Sequence, residues 1–402
     1  MTIVFISVFV DKFFCRPGWF AQTASVLLWF FLLTHPLSAA NIGLGRRFPN
    51  EVRSAVPDNA WTTRFFSSSG WTGGDADYSM PLTATRSLWV FGDSFVGTIS
   101  NGRRNAPVMV HNSAAWLDTG AVPHFFWNRK QPPTALVQPP VPEKGYYWPG
   151  AIVASAGKIA LFCKRVEDTT GVQNGFGFEW VGQDLVLVDN PPAQPARWRT
   201  RSLPLDLHDG TIFPGAAAVA LGDFVYVFST LHGKGESAHP AVLQRISPAD
   251  LAAGNISQFQ YWCADPAVPQ GGNWLSKPHR PIVLFADAAP EMSVSPIKGL
   301  SGLWAVYSPH GLSADIFARH ADRPEGPWSE PKLLYHCPEP DSDGQVFCYG
   351  AKAHPELSEN DGELIISYCA NLKDFAQHAT KPLVYFPHFI RVQLAPRAEK
   401  QH

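Results

Sequence analysis

The densest polar constellation in the chain surrounds two aspartates. Asp75 lies in Gly70–Ser79 (GWTGGDADYS), and Asp93 closes the run Leu88–Asp93 just before Ser94. Glycines beside an acid let a ligand or a second backbone approach closely. The pattern places Asp75 and Asp93 on neighbouring antiparallel strands, facing a shared pocket. Two carboxylates held across a pocket are what acid–base cleavage of a glycosidic bond needs: one protonates the leaving oxygen while the other activates water or attacks carbon. The competing reading is a set of turn aspartates that satisfy backbone amides, and for Asp77 that reading is preferred. Which catalytic candidate is acid and which is base stays open.

Six further residues are candidates for holding a substrate. Asn112 ends a strand in Met109–Ser113, next to a hydroxyl. Trp148, within Tyr146–Gly150, offers an aromatic face to a sugar ring or fills the core. Glu291 is a third acid or an ordinary surface glutamate. Arg319 pairs with a catalytic carboxylate and keeps it ionised, or forms a surface ion pair. His354 is a hydrogen-bonded structural histidine, or near an axis it holds an acid or a metal; Asn371 lies in the same C-terminal region. No G-x-S-x-G elbow, P-loop, H-E-x-x-H or dinucleotide-binding fingerprint occurs. No cofactor is expected and no metal ligands are assigned, although a structural or axial ion stays open.

These residues need rigid elements to position them, and the pattern of the chain is that of strands. Short aromatic and β-branched runs bounded by Gly, Pro, Asp and Ser recur, with no sustained helical period. One kind of run appears five times: Leu88–Asp93, Lys158–Lys164, Asp223–Ser229, Leu303–Ser308 and Glu363–Tyr368. Such recurrence predicts an all-β, five-bladed β-propeller of four-stranded blades. A β-sandwich is the alternative, but it gives no reason for the same strand to recur.

Lys12 and Arg16 precede the apolar run Ser25–Leu33, and Ser38-Ala39-Ala40 supplies a small-residue cleavage site. Residues 1–40 therefore read as a signal peptide, and 41–402 as a single propeller domain with its core at about 61–392. An uncleaved anchor is the other reading, but the run is short for a span of about 20 residues. The expectation is a secreted or periplasmic protein with no stable membrane insertion after cleavage. A net charge of -2 gives no footprint for nucleic acid; the partner expected is a polysaccharide or oligosaccharide. Cys337 and Cys348 flank a polar loop and could pair as a disulfide in an oxidising compartment.

Taken in order, Gly73-Gly74-Asp75 with Trp89–Asp93, His111-Asn112-Ser113, Tyr147–Gly150, Gly326-Pro327-Trp328, and His354–Leu357 through Ser367-Tyr368 and Asn371 form a series of short motifs. The series resembles a secreted bacterial propeller family, formerly of unknown function, that includes endo-D-arabinanases. The resemblance runs from about Trp61 to about Val392. Ala321–Trp328 also looks like a blade segment of five-bladed arabinanases and xylosidases. The resemblance implies an axial glycan site and acid-pair hydrolysis of furanosides, with Asp75 and Asp93 matching the acidic positions. The chain departs from the family pattern at Ala151, where a small polar cluster is expected. A propeller that binds glycan without cutting it is the alternative function.

Overall fold

The computed structural model describes residues 46–141, 145–169, 177–207, 210–232, 239–265, 268 and 271–396. The expected signal segment, 1–40, lies outside the described residues. Leu44–His402 forms one compact unit. Among the described residues no helix is long and apolar enough to cross a membrane.

The protein is all-β. Five antiparallel sheets follow one another along the chain. The first holds Tyr78–Thr83, Arg86–Phe91, Ser113–Asp118 and His124–Phe126; the second Tyr146–Ser155, Lys158–Asp168, Phe178–Val188 and Thr200–Pro204. The third runs Ile212–Leu221, Phe224–Leu231, Ala241–Ile246, Gln260–Ala264 and Gly272–Leu275, and the fourth Met292–Ser295, Leu303–Tyr307, Asp315–Ala321 and Lys332–His336. The fifth combines Val346–Ala353, Glu363–Leu372 and Pro387–Pro396 with the early strand Asn50–Pro57, which pairs antiparallel to Pro387–Pro396. A smaller sheet of Ser69–Gly74, Ser94–Ser100 and Arg103–Val110 is interleaved in sequence with the first.

The five recurrent runs all fall on the second strand of a sheet. That strand is hydrogen-bonded on both edges and packed on both faces. Leu88–Phe91, Ile159–Cys163, Leu303–Tyr307 and Leu364–Ile366 are accordingly buried throughout, while in the third sheet Val225 and Val227 are buried and Phe224 and Tyr226 half-buried. This explains why the runs read as continuous apolar stretches and not as polar–apolar alternation. The first strands of successive sheets lie against one another: Tyr146–Ser155 packs on Tyr78–Thr83 and on Ile212–Leu221, which packs on Met292–Ser295, which packs on Val346–Ala353.

Three of the expected substrate-binding residues are parts of this framework. Asn112 is buried; its Nδ2 donates to Val137 O at 2.8 Å and Tyr147 O at 3.0 Å, and its Oδ1 accepts from Val137 N at 2.7 Å. Both amide hydrogens are used and the group is buried, because it ties the loop at Val137 to the strand at Tyr147. Asn112→Ala should cost about 3 kcal/mol, since it strands buried backbone groups; urea unfolding measures it. His354 is buried against Trp89, with Nδ1 2.6 Å from Ser79 Oγ and Nε2 2.7 Å from Ser367 Oγ. Both ring nitrogens are engaged by hydroxyls, which matches the hydrogen-bonded structural reading of this histidine. Arg319 pairs with Asp287 at 2.8 Å and donates to Tyr307 OH and Ser329 O, each at 2.7 Å. It holds the fourth sheet together and touches neither Asp75 nor Asp93.

Candidate functional site

The chain crosses three times between the small sheet and the first sheet, at Asp75–Asp77, at Gly92-Asp93 and at His111-Asn112. Asp75 and Asp93 were expected on neighbouring strands of one sheet. They lie instead on two of these crossings, side by side: Asp75 N donates to Asp93 O at 3.3 Å and Gly92 N to Asp75 O at 2.9 Å. The glycines are there for space. A Cβ on Gly92 would sit 2.5 Å from Asp75 Oδ1, and one on Gly73 would sit 2.0 Å from Tyr385 O. Ala76 and Asp77 follow with φ of 66° and 35°. Non-glycine residues held there store strain, which the surrounding packing must sustain.

Tyr349 OH donates to Asp75 Oδ2 at 2.6 Å, and Asn371 Nδ2 donates to Tyr349 OH at 3.2 Å. His378 Nε2 lies 2.8 Å from Asn371 Oδ1. Asn371 therefore acts through Tyr349, as the second link of a chain that ends on Asp75. Asp93 Oδ1 accepts from Trp148 Nε1 at 3.0 Å and lies 2.9 Å from His111 Nδ1, while Tyr385 OH donates to Asp93 O at 3.0 Å. Trp148 thus reaches the site through its indole N–H. The His111 ring stacks on Tyr146, with centroids 3.5 Å apart. Beside these two rings opens a cavity of about 520 Å³, lined also by Met109, Val137, Glu167 and Asp168. Neither aspartate lines it; His111 stands between it and Asp93.

Glu291 comes to the same place from the start of the fourth sheet. Its carboxylate lies 3.1 Å from Lys352 Nζ and 3.8 Å from Lys164 Nζ. Lys352 Nζ is also 3.6 Å from Asp77 Oδ1. Asp77 is fully buried, and its Oδ2 has no hydrogen-bond partner. Its backbone N–H does donate to Asp75 O at 2.9 Å, as in a turn. Its side chain, however, is the buried counter-charge of a lysine.

Four carboxylates thus share a region with two ammonium groups, and the acids respond differently. Burial, then the charges of Asp93 and Glu291, pushes the Asp75 carboxyl up to about 8. Burial would raise Glu291 too, but Lys352 and Lys164 outweigh it and hold Glu291 below its ordinary value. Asp75, Asp93 and Glu291 all stay partly exposed. One acid that keeps its proton near neutral pH, beside another gripped by two ring nitrogens, can both give and take a proton. Of the residues expected from sequence, the structure brings together Asp75, Asp93, Trp148, Glu291 and Asn371. Sequence reasoning passed over His111, Lys164, Tyr349, Lys352 and Tyr385. The first could have been found as the polar residue of a third crossing motif; the others join only across sheets.

Fold and site together define an all-β protein of consecutive antiparallel sheets, with a cluster of carboxylates and lysines where its first strands and crossings meet. By sequence the chain belongs to the family described as Domain of unknown function (DUF5005), whose model matches residues 58–394. No curated protein matches the chain. Among solved structures it is similar to a "putative hydrolase" from Bacteroides ovatus, at 20% identity and a TM-score of 0.66, over 85% of this chain and 93% of that one. It is more distantly similar to a thermostable family-43 glycoside hydrolase, at 12% identity and a TM-score of 0.45, over 84% and 94% of the two chains. The figures for a GH43_1 enzyme from Xanthomonas citri complexed with xylose are 12%, 0.41, 83% and 90%. The first of these likenesses speaks to the fold.

Proposed function

We propose that this chain is an exported glycoside hydrolase, built as a five-bladed β-propeller, that cuts a furanose-containing, arabinan-like polysaccharide with Asp75 and Asp93. Support for the propeller comes from five sheets in chain order, first strands that neighbour one another, and an early strand that completes the last sheet. Support for export, to a secreted or periplasmic location, is the basic, apolar and small-residue order of the first 40 residues.

One observation carries the catalytic reading: two aspartates on adjacent crossings, of which Asp75 is driven toward its neutral form by burial and by its acidic neighbours. Asp75 then donates its proton to the departing glycosidic oxygen. Asp93, with Oδ1 oriented by Trp148 and His111, drives water onto the anomeric carbon or attacks it directly. Glu291 raises the proton affinity of Asp75 by its charge, and Tyr349 fixes the direction of that carboxyl.

The test is release of reducing ends from a panel of arabinans and other furanose polymers, with pyranose polymers alongside. Release from a furanose polymer is expected, with the rate falling as pH rises through about 8 and Asp75 gives up its proton. Glycan binding with no product from any polymer would leave the non-catalytic reading in its place.

A further inference from the structure

Away from the aspartates, two thiols, a carboxylate and an imidazole converge where the fourth sheet gives way to the fifth. Cys337 follows the strand Lys332–His336, and Glu339 opens the short helix Glu339–Ser342. Cys348 lies on Val346–Ala353 and His388 on Pro387–Pro396. Both cysteines are buried free thiols. One ligand atom each from Cys337, Glu339 and Cys348 lies within 4.8 Å of the other two. Cys348 Sγ is 3.8 Å from Glu339 Oε2, and His388 Nδ1 is 3.6 Å from Glu339 Oε1. Tetrahedral zinc, with sulfur at about 2.3 Å and nitrogen or oxygen at about 2.0–2.2 Å, sets its ligand atoms about 3.3–3.8 Å apart.

The surroundings fit the same purpose. His388 Nε2 lies 3.1 Å from Val384 O. A carbonyl only accepts, so Nε2 carries a hydrogen, and the ring turns its Nδ1 edge toward the carboxylate. A metal-binding histidine is typically fixed in this way by a backbone carbonyl. Tyr368 OH donates to Glu339 Oε1 at 2.8 Å, and the Tyr368 ring stacks on His388 at 5.3 Å. The glutamate is thereby oriented, with an imidazole nitrogen and a thiol turned toward it. A disulfide would explain the two cysteines alone and leave Glu339 and His388 without a role.

We infer that Cys337, Glu339, Cys348 and His388 form a structural zinc-type site that staples the fourth sheet to the fifth. The strand period of two places Cys348 on the opposite face from Tyr349, whose hydroxyl serves Asp75. The site therefore secures a strand that the aspartate cluster depends on, without entering that cluster. On binding, the ion takes the two sulfurs as thiolates, and their protons pass to solvent.

The full chain, purified with reductant and stripped by a chelator, is titrated with Co²⁺ and then with Zn²⁺. A saturable thiolate-to-cobalt charge-transfer absorption at about one equivalent is expected, bleached by Zn²⁺. Zn²⁺ should raise the unfolding midpoint. Cys348→Ser should remove the absorption. Glu339→Gln keeps both thiols and a partner for Tyr368, yet should weaken Zn²⁺ binding by about 10–100-fold, a loss no smaller than that for a supporting contact. If Cys348→Ser does not fold, Glu339→Gln decides. A Cys337–Cys348 disulfide in protein purified without reductant, reduced protein that gives no thiolate–cobalt band, or an unchanged affinity in Glu339→Gln would each overturn the inference.

Discussion

Asp75→Asn should lower polysaccharide cleavage by about 10²–10⁴-fold and, at the same time, make the protein more stable at neutral pH. The two effects have one cause. The unfolded chain releases the Asp75 proton near the ordinary value of 3.8, whereas the folded chain keeps it up to about 8. Between those limits the native state binds more protons than the unfolded state, so raising the pH pulls the equilibrium toward unfolding. The slope from this group is at most about 1.4 kcal/mol per pH unit. Below that window both states are protonated and Asp75 costs nothing; above it the full cost is present. Asparagine removes the charge and can still accept the Tyr349 hydrogen bond. Urea midpoints of wild type and Asp75→Asn should therefore nearly coincide at pH 4 and diverge toward pH 8, with the variant ahead. A gain independent of pH, or none at all, would show that Asp75 is not held neutral by its surroundings. Asp93→Asn should lose comparable activity; retention of wild-type rates in both variants would remove the hydrolase reading altogether.

The parts of this protein that were legible in its sequence are those determined locally. The five recurrent runs are strands with both faces covered, and such strands must be apolar along their length, so the repeat showed itself. Gly73 and Gly92 marked the crossings because only glycine lets Tyr385 O and the Asp75 carboxylate approach so closely. That Asp75 and Asp93 sit on crossings between two sheets was not legible, because strand pairing at Gly74–Ser94 depends on a sheet whose members are interleaved with another's. That Arg319, His354 and Asn112 make their hydrogen bonds within the framework was not legible, for a common reason. Each is a polar residue inside an apolar context, and sequence cannot tell a buried polar strut from a side chain that faces a ligand. Conversely Lys352, two positions after Gly350 in an unremarkable strand, showed no motif. Its meaning comes from two acids 275 and 61 positions earlier in the chain.

Lys352→Met should destabilise the fold by about 3–5 kcal/mol, because it removes the cation from a buried group of charges. Lys352 is 1% exposed, with its ammonium between Glu291 Oε2 and Asp77 Oδ1 and over the Tyr78 ring at 4.7 Å. Burial alone would lower its proton affinity, yet Glu291 and Asp77 outweigh burial and leave it above the ordinary lysine value, so the charge is held firmly. Methionine fills the space of the stem but leaves Asp77 buried without a counter-charge and leaves Glu291 facing Lys164 alone. Burial already makes Asp77 bind its proton more tightly in the folded than in the unfolded state; without Lys352 that bias grows, and Glu291 loses one of the two charges that hold it low. The deficit should therefore be smaller at pH 4 and grow as the pH rises. Adding Asp77→Asn removes one of the stranded charges, so the double variant should recover part of the loss, and the cycle of four proteins measures the coupling. A deficit equal at pH 4 and pH 7, with no recovery in the double variant, would mean that Lys352 contributes by packing and not by charge. The acid cluster around Asp75 would then need another explanation for how it tolerates two further carboxylates so near.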